Sequence, residues 1–175
     1  MGRARTDGDP AAPLIRDASA RDAAGIAAIW NPIIRDTPIT FWPTERTGAE
    51  IAAMMAGRQG DGHAFMVAEA DGRVLAFGTY AQFRGGAGYA RCLEHSIHAA
   101  PAARGRGLGR ALLGALERHA RGAGGRIMIG AITASNADSI AFHDRLGYRT
   151  WGRIPCAGWK FGRFHDLVLM GKDLG

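Results

Sequence analysis

The chain has 175 residues, enough for one domain with its own hydrophobic core. Hydrophobic residues make up 47% and charged residues 22%, which excludes a mainly disordered chain, and no apolar run approaches the roughly 20 residues that a membrane helix needs. The net charge of +6 comes from basic residues spread along the whole chain, so charge alone does not predict a nucleic-acid partner.

The start of the chain and the cysteines narrow the expected location. Residues 1–13 are polar, with Asp7 and Asp9 where a signal peptide would be apolar, so we expect no signal peptide, no membrane contact and a cytoplasmic protein. Cys92 and Cys156 are too few for a disulfide framework or a zinc site.

The first quarter of the chain predicts a tail and two helices. Residues 1–12 look like a flexible tail, and residues 13–175 like a single domain. After an extended segment around Ile15, apolar residues recur at helical spacing, and Pro32 predicts a kink or break in that helix. A second helix is predicted from Thr47 to Gly57.

The middle of the chain is typical of an antiparallel hairpin followed by another strand. Strands are predicted from His63 to Ala70 and from Arg73 to Phe83, and the Asp71-Gly72 pair between them is a strong hairpin signal. A glycine-rich loop then leads to a strand from Arg91 to His98.

The last third alternates helices and strands. A leucine-striped helix is predicted over Leu108–Arg121, a buried strand over Arg126–Thr133 and a short helix over Asp138–Leu146, capped by Gly147. Two final strands are expected near 148–153 and 164–170, with a loop containing Pro155 and Gly158 between them. The order predicts a mixed α/β fold.

The segment Arg104-Gly105-Arg106-Gly107-Leu108-Gly109 lies between a predicted strand and a predicted helix. Glycines allow backbone N–H groups to converge there, and the helix start adds partial positive charge, so the segment predicts a phosphate cradle. Arg110 stands where a dinucleotide fingerprint needs glycine, and the chain has no Gly-Lys-Ser/Thr of a P-loop. The alternative is a tight turn that only permits close packing.

The strand before this segment carries a candidate general base. Alternation directs Glu94, Ser96 and His98 to one face and His95 to the other. Burial of a lone carboxylate is costly and raises its pKa, which favours a catalytic Glu94 over a structural salt bridge. Because His95 and His98 face opposite ways, we expect no metal site.

The glycine loop and several further motifs resemble the GNAT N-acyltransferases, in particular phosphinothricin and methionine sulfone N-acetyltransferases. These motifs are Leu93-Glu94-His95-Ser96-Ile97, the Arg104–Gly109 loop, Asn136 with Ser139-Ile140-Ala141-Phe142-His143, Leu146-Gly147-Tyr148, and the run from Gly158 to Asp166. The resemblance implies an α/β (α+β) fold whose central, mostly antiparallel twisted sheet is flanked by helices, with splayed strands forming an acyl-CoA cleft.

The resemblance also implies roles in binding acetyl-CoA as co-substrate, without a metal. The main chain of Ile97, His98 and Ala99 would contact its pantetheine arm, and Asn136 would hydrogen-bond it. The pyrophosphate would lie on six loop residues, namely Arg104, Gly105, Arg106, Gly107, Leu108 and Gly109.

For the reaction itself, the resemblance implies that Glu94 takes the ammonium proton, the Ile97 amide polarises the thioester carbonyl and His143 protonates the thiolate. A structural role for His143 remains the alternative. The acceptor would be the α-amine of a small amino acid or analogue of the phosphinothricin or methionine sulfone type. A polyamine, aminoglycoside or protein N-terminus remains possible as acceptor, as does a non-catalytic acyl-CoA-binding or nucleic-acid-binding domain.

Acceptor recognition is assigned to two segments. Arg84, with Tyr89 nearby, matches a basic position of the family and is expected to pair with an anionic group. Thr40, Phe41 and Trp42 would form an aromatic wall of the pocket. The alternatives are a solvated Arg84 and a core role for the wall. The family usually has Tyr-Val at His98-Ala99, and Thr at Cys92. A homodimer is implied by resemblance alone.

Overall fold

The computed structural model describes residues 13–175, so the predicted tail over residues 1–12 lies outside the described residues. The helices are α1 (Ala23–Asp36), α2 (Gly48–Gly60), α3 (Leu108–Gly122) and α4 (Ala137–Arg145). The strands are β1 (Leu14–Asp17), β2 (Phe65–Ala70), β3 (Arg73–Gln82), β4 (Cys92–Ala99), β5 (Ile127–Thr133), β6 (Arg149–Lys160) and β7 (Arg163–Asp173).

All seven strands belong to one sheet with the order β1-β2-β3-β4-β5-β7-β6. Only β4 and β5 pair in parallel; every other neighbouring pair is antiparallel. The predicted mixed, mostly antiparallel sheet is therefore confirmed.

Side chains alternate along each strand and so point to both faces of the sheet. Helices cover both of these faces. On one face α1 and α2 pack against Phe65, Val67 and Phe77. On the other, α3 buries its leucine stripe with Met128 and Met170. The core therefore extends on both sides of the sheet and fixes the central strands β3, β4 and β5.

Helix α1 is not broken at Pro32, where the sequence predicted a kink or a break. The helix runs through Pro32 and ends at Asp36, where Thr37 N–H donates to the carbonyl of Ile33. Ile29 and Ile33, on either side of the proline, are both buried. Their burial holds the two turns in one helix despite the missing N–H.

The predicted loop around Pro155 and Gly158 is wrong, because β6 continues through both residues. A β-bulge between Ile154 and Gly158 takes up the extra residues, and Cys156 has a φ of +54°. The carboxylate of Asp166 on β7 accepts the Cys156 N–H at 2.9 Å. Inside a bulge the missing N–H of proline disrupts no regular ladder, so the strand tolerates it.

Within residues 13–175, no helix is long and apolar enough to cross a membrane. The cytoplasmic location stays a prediction.

Candidate functional site

The parallel strands β4 and β5 diverge halfway along β4. Their pairing begins at Cys92↔Ile127 and ends at His95↔Gly130, although β4 continues to Ala99 and β5 to Thr133. The predicted splayed strands are thus present as a gap in the middle of the sheet.

The main chain of β4 supplies free hydrogen-bonding groups to this gap. Phe83 N–H donates to Cys92 O, and Ala100 N–H donates to Leu75 O, which fixes the alternation of the antiparallel ladder with β3. By that alternation Ile97 and Ala99 direct their N–H and C=O groups away from β3, into the gap.

The main-chain N–H and C=O groups of His98 point the opposite way. Its main chain faces Phe77 on β3, so its contact with a ligand would come from the side chain, whereas we predicted a main-chain contact. The His98 ring stacks on Trp30 with centroids 5.9 Å apart, and burial lowers the pKa of His98 to about 4.

The glycine loop borders one end of the gap, at a cavity of about 550 Å³. Gly105 and Gly107 have φ angles of +74° and +77°, and a Cβ built on either meets no atom within 4 Å. The loop therefore has the left-handed turns and the open space that a bound phosphate group requires. Of the six predicted loop residues, Arg106 alone does not line the cavity.

The start of α3 adds to this cradle. Gly107 is its N-cap and provides no side-chain cap, so the first N–H groups of the helix have no intrahelical acceptor. Such groups and the helix dipole suit an anion. The residues present thus fit the pyrophosphate that the sequence predicted.

Asn136 lies where the cofactor prediction requires it and also caps a helix. Its Oδ1 accepts the N–H of Ser139 at 3.2 Å at the start of α4. The cap occupies the oxygen, so a ligand would be bound through Nδ2. The helix-capping role and the ligand-binding role of Asn136 are therefore compatible with each other.

A second cavity, of about 570 Å³, adjoins the first along the gap. The residues that line both are Ile39, Ile97, His98, Asn136 and Ser139. The two cavities therefore form one continuous cleft through the splayed part of the sheet.

Glu94 lines the second cavity together with Ser96. Burial raises the pKa of the Glu94 carboxyl, and the charge of Arg58 offsets part of that effect. A half-buried carboxylate with a raised pKa has the properties of a general base near neutral pH.

His143, on α4, lines the same cavity and is 2% exposed. Its Nδ1 lies 2.7 Å from the carbonyl oxygen of Ser139, so Nδ1 carries the proton and donates it. Burial lowers the pKa of His143, which favours the neutral ring. In this tautomer Nε2 is a proton acceptor, so the ring must gain a proton before it can protonate a thiolate.

His95 stacks on His143, with ring centroids 5.1 Å apart and planes inclined by 21°. Burial, helped by the charges of His143 and His98, lowers the pKa of His95 to about 3. Within residues 13–175 neither ring nitrogen of His95 has a hydrogen-bond partner. Sequence reasoning considered His95 only as a metal ligand and missed this stacked pair.

Thr40 and Phe41 line the second cavity, as predicted for a pocket wall. Phe41 stacks on His165 of β7, with centroids 5.9 Å apart. Trp42 extends the wall, and the Arg46 guanidinium lies over its ring at 3.8 Å.

Arg84 and Tyr89 are not brought into this cavity. They contact each other, with the Arg84 guanidinium carbon 5.6 Å from the Tyr89 ring centroid, and both are exposed. Among the described residues that line the cavity, none is a lysine or an arginine.

No group of three metal-ligating side chains occurs in the described part of the chain. That the reaction needs no metal stays a prediction.

Comparisons with known proteins agree with this geometry. The sequence profile of the Acetyltransferase (GNAT) family matches residues 27–148. An L-methionine sulfoximine/L-methionine sulfone acetyltransferase from Pseudomonas paraeruginosa is 38% identical over 161 residues, covering 91% of this chain and 94% of the relative.

Two solved structures are similar along nearly the whole chain. A phosphinothricin acetyltransferase from Sinorhizobium meliloti in complex with AcCoA has a TM-score of 0.88 at 33% identity, covering 93% of this chain and 89% of that chain. A ribosomal-protein-alanine N-acetyltransferase from Brucella melitensis has a TM-score of 0.88 at 35% identity, covering 91% and 99%.

Proposed function

Because the chain belongs to the acetyltransferase (GNAT) family, we propose that it acetylates the α-amine of a small amino acid or analogue of the methionine sulfone, methionine sulfoximine or phosphinothricin type. The observation that carries this proposal is the continuous cleft. One end has a phosphate cradle, the other a half-buried carboxylate, and free main-chain groups of β4 lie between them. Such a cleft suits two substrates that must meet.

Acetyl-CoA, when bound, supplies an acetyl thioester. The N–H groups of residues 105–109 and the start of α3 would hold its pyrophosphate, and Ile97 and Ala99 would hold the pantetheine arm through their main chains. Holding both reactants in line supplies much of the rate of such a reaction. The N–H of Ile97 is the proposed donor to the thioester carbonyl oxygen.

Glu94 is the proposed general base. Its carboxylate accepts a proton from the acceptor's ammonium, directly or through a water molecule, which leaves the amine lone pair free to form the new N–C bond as the C–S bond breaks. The raised pKa of Glu94 brings it closer to that of the amine. Attack leaves one surplus proton on the new amide nitrogen, and we propose that His143 accepts this proton at Nε2 and passes it to the departing thiolate.

Recognition of the acceptor rests on the Thr40–Phe41 wall and on a cation for its carboxylate. Arg84 remains the proposed cation, although it lies outside the cavity. It follows Ala81 by three residues, and Ala81 pairs with Glu94 across strands β3 and β4. Arg46 is the competing candidate because it stacks on Trp42, which lines the cavity. Arg84→Ala and Arg46→Ala compared side by side identify the anchor as the variant whose KM for methionine sulfone rises while that for acetyl-CoA does not.

A second candidate acceptor is a protein N-terminus. The similarity to the ribosomal-protein-alanine N-acetyltransferase, at 35% identity, favours it over a polyamine or an aminoglycoside. A peptide that begins with alanine therefore belongs in any acceptor panel.

We also propose that residues 13–175 form a single domain.

A further proposal is that two copies of the chain associate. Five large apolar side chains exposed on the β6–β7 hairpin support an interface there, namely Trp151, Ile154, Trp159, Phe161 and Phe164. Trp159 and Phe164 contact each other, with ring centroids 4.7 Å apart, and contiguous exposed apolar side chains are typical of an interaction surface. Light scattering of the protein and of a Trp159→Glu variant tests this association.

The experiment that tests the function measures thiol release from acetyl-CoA against a panel of acceptors. The panel contains methionine sulfone, methionine sulfoximine, phosphinothricin, a polyamine, an aminoglycoside and an alanine peptide. We expect turnover with the first three. Turnover with the peptide alone would assign the second candidate, and no turnover with any acceptor would overturn the proposal.

A further inference from the structure

Lys160 ends strand β6 and is almost completely buried, with 7% of its surface exposed. Its ammonium donates hydrogen bonds to the main-chain carbonyls of Thr37, at 2.9 Å, and Thr40, at 2.7 Å. Among the described residues no carboxylate pairs with it. The ammonium also lies 5.2 Å from the centroid of the Phe161 ring. Burying an ammonium is costly unless its protons are bound, so the two hydrogen bonds are its main stabilising contacts.

These two bonds hold the segment between α1 and α2, residues 37–47. It forms neither helix nor strand, and its residues from Ile39 to Pro43 line the cavity that contains Glu94. A segment without its own hydrogen-bonded ladder takes its position from outside contacts.

Contacts with this segment come from both α1 and the sheet. On the helix side, the Asn31 side chain donates to the carbonyl of Arg46 at 3.0 Å and accepts the Arg46 N–H at 2.9 Å. Besides Lys160, the hydroxyl of Thr133 on β5 donates to the carbonyl of Pro38 at 2.6 Å. The Phe41 ring stacks on His165 of β7. The part of the wall from Thr37 to Phe41 is therefore attached to β5, β6 and β7, while α1 holds the end of the segment at Arg46.

We propose that Lys160 is a positioning residue for the acceptor, whose ammonium fastens residues 37–40 to the β6–β7 hairpin and thereby sets the distance between the Thr40–Phe41 wall and Glu94. This inference rests on the proposed function for its kinetic consequence but not for its structural one. The phosphate cradle itself lies on α3 and the preceding loop, and of residues 37–40 Ile39 is the one that borders its cavity.

The chemistry of the site explains a lysine at this position. Thr37 is the C-cap of α1, where carbonyl groups carry partial negative charge from the helix dipole. A long side chain with a single cationic end reaches two carbonyls at once. A methionine would fill similar space but would leave both carbonyls without a donor.

The test compares Lys160→Met and Thr133→Val with a matched control, Thr79→Val. Thr79 is also buried, and its hydroxyl also donates to a main-chain carbonyl, that of Ala64 at 2.8 Å, away from residues 37–47. Each variant is assayed for acceptor and acetyl-CoA kinetics and for amide hydrogen exchange of residues 38–46 in the free enzyme.

We expect Lys160→Met to lower kcat/KM for methionine sulfone about 10- to 100-fold, mainly through KM, while the affinity for acetyl-CoA changes less than about twofold. Thr133→Val should act in the same direction more weakly, and both variants should exchange the amides of residues 38–46 faster. Thr79→Val should change neither quantity.

The outcomes separate this inference from the proposed function. Should the wild-type enzyme acetylate no amino acid, the proposed function fails, and hydrogen exchange alone then decides the positioning role. An unchanged acceptor KM in an active Lys160→Met enzyme, or unchanged exchange in its residues 38–46, overturns the role of Lys160. If Lys160→Met does not fold, the same two readouts on Thr133→Val decide.

Discussion

The ring of Phe41 occupies the space above Gly158 where any other residue would carry its side chain. A Cβ built on Gly158 comes within 2.3 Å of two Phe41 ring carbons, closer than real contacts allow. The glycine on β6 therefore determines where this side of the acceptor cavity lies.

Substituting Gly158 should displace Phe41. We expect Gly158→Ala to lower the free energy of unfolding by about 1–3 kcal/mol. It should also reduce kcat/KM for the acceptor by up to about 100-fold, because small displacements near reacting groups are costly. Gly152→Ala on the same strand is the control, since a Cβ there meets no atom within 4 Å. Equal kinetics in the two variants would contradict this role of Gly158.

Substituting Gly107 separates backbone strain from ligand binding. Gly107 and Gly62 have nearly the same φ, +77° and +76°, and a Cβ at either meets no atom within 4 Å. Gly107→Ala and Gly62→Ala should therefore both lower the free energy of unfolding by about 1–2 kcal/mol. Only Gly107→Ala should weaken acetyl-CoA binding, as measured by calorimetry. Equal affinity for acetyl-CoA in the two variants would contradict the assignment of a phosphate cradle to this loop.

Removing the proposed base should affect turnover and its pH dependence together. Glu94→Gln should lower kcat/KM about 10²- to 10⁴-fold with acetyl-CoA binding retained. Because the base must be deprotonated, wild-type activity should fall as pH decreases through the raised pKa of Glu94, and this limb should vanish in the variant. A variant that keeps wild-type turnover and the wild-type pH profile would assign proton removal to another group.

Two histidines whose pKa values are lowered, buried His95 and half-buried His98, make stability depend on pH. In the unfolded chain they titrate near pH 6.5, whereas in the folded protein the pKa of His95 is lowered to about 3 and that of His98 to about 4. Below pH 6.5 the unfolded state binds more protons, so the free energy of unfolding falls as pH decreases, by up to about 1.4 kcal/mol per pH unit for each ring.

Urea unfolding at pH 7, 6 and 5 measures this dependence. We expect His95→Gln to reduce the slope of stability against pH by the contribution of about one proton. A slope equal to that of the wild type would mean that His95 is protonated in the folded protein.

Much of the fold was predictable because its signals are local. The Asp71-Gly72 turn, with φ angles of +51° and +72°, and the leucine stripe of α3 depend on neighbouring residues in sequence. Glu94 could be proposed as the base because a carboxylate in a buried strand is unusual whatever surrounds it.

What the sequence did not predict depends on distant partners. The strand through Pro155 needs the carboxylate of Asp166 across the hairpin, and local turn signals favoured a loop instead. The ammonium of Lys160 binds carbonyls of residues 123 and 120 positions away, and main-chain acceptors leave no trace in residue identity. The spacing of residues along the sequence does not show that Arg84 lies outside the cavity. It also does not show which tautomer His143 adopts.

The short ladder between β4 and β5 has a consequence for the energetics of the whole protein. Only four residue pairs, from Cys92↔Ile127 to His95↔Gly130, join the meander β1–β4 to the sub-sheet β5–β7. Beyond these pairs, buried residues of both parts meet in one core cluster with α3. A ligand that hydrogen-bonds along the open part of β4 acts as a short substitute strand and adds main-chain bonds where the ladder is missing. Saturation with such a ligand at about 100 times its Kd raises the free energy of unfolding by about 2.7 kcal/mol, so cosubstrate supply sets how resistant the enzyme is to unfolding.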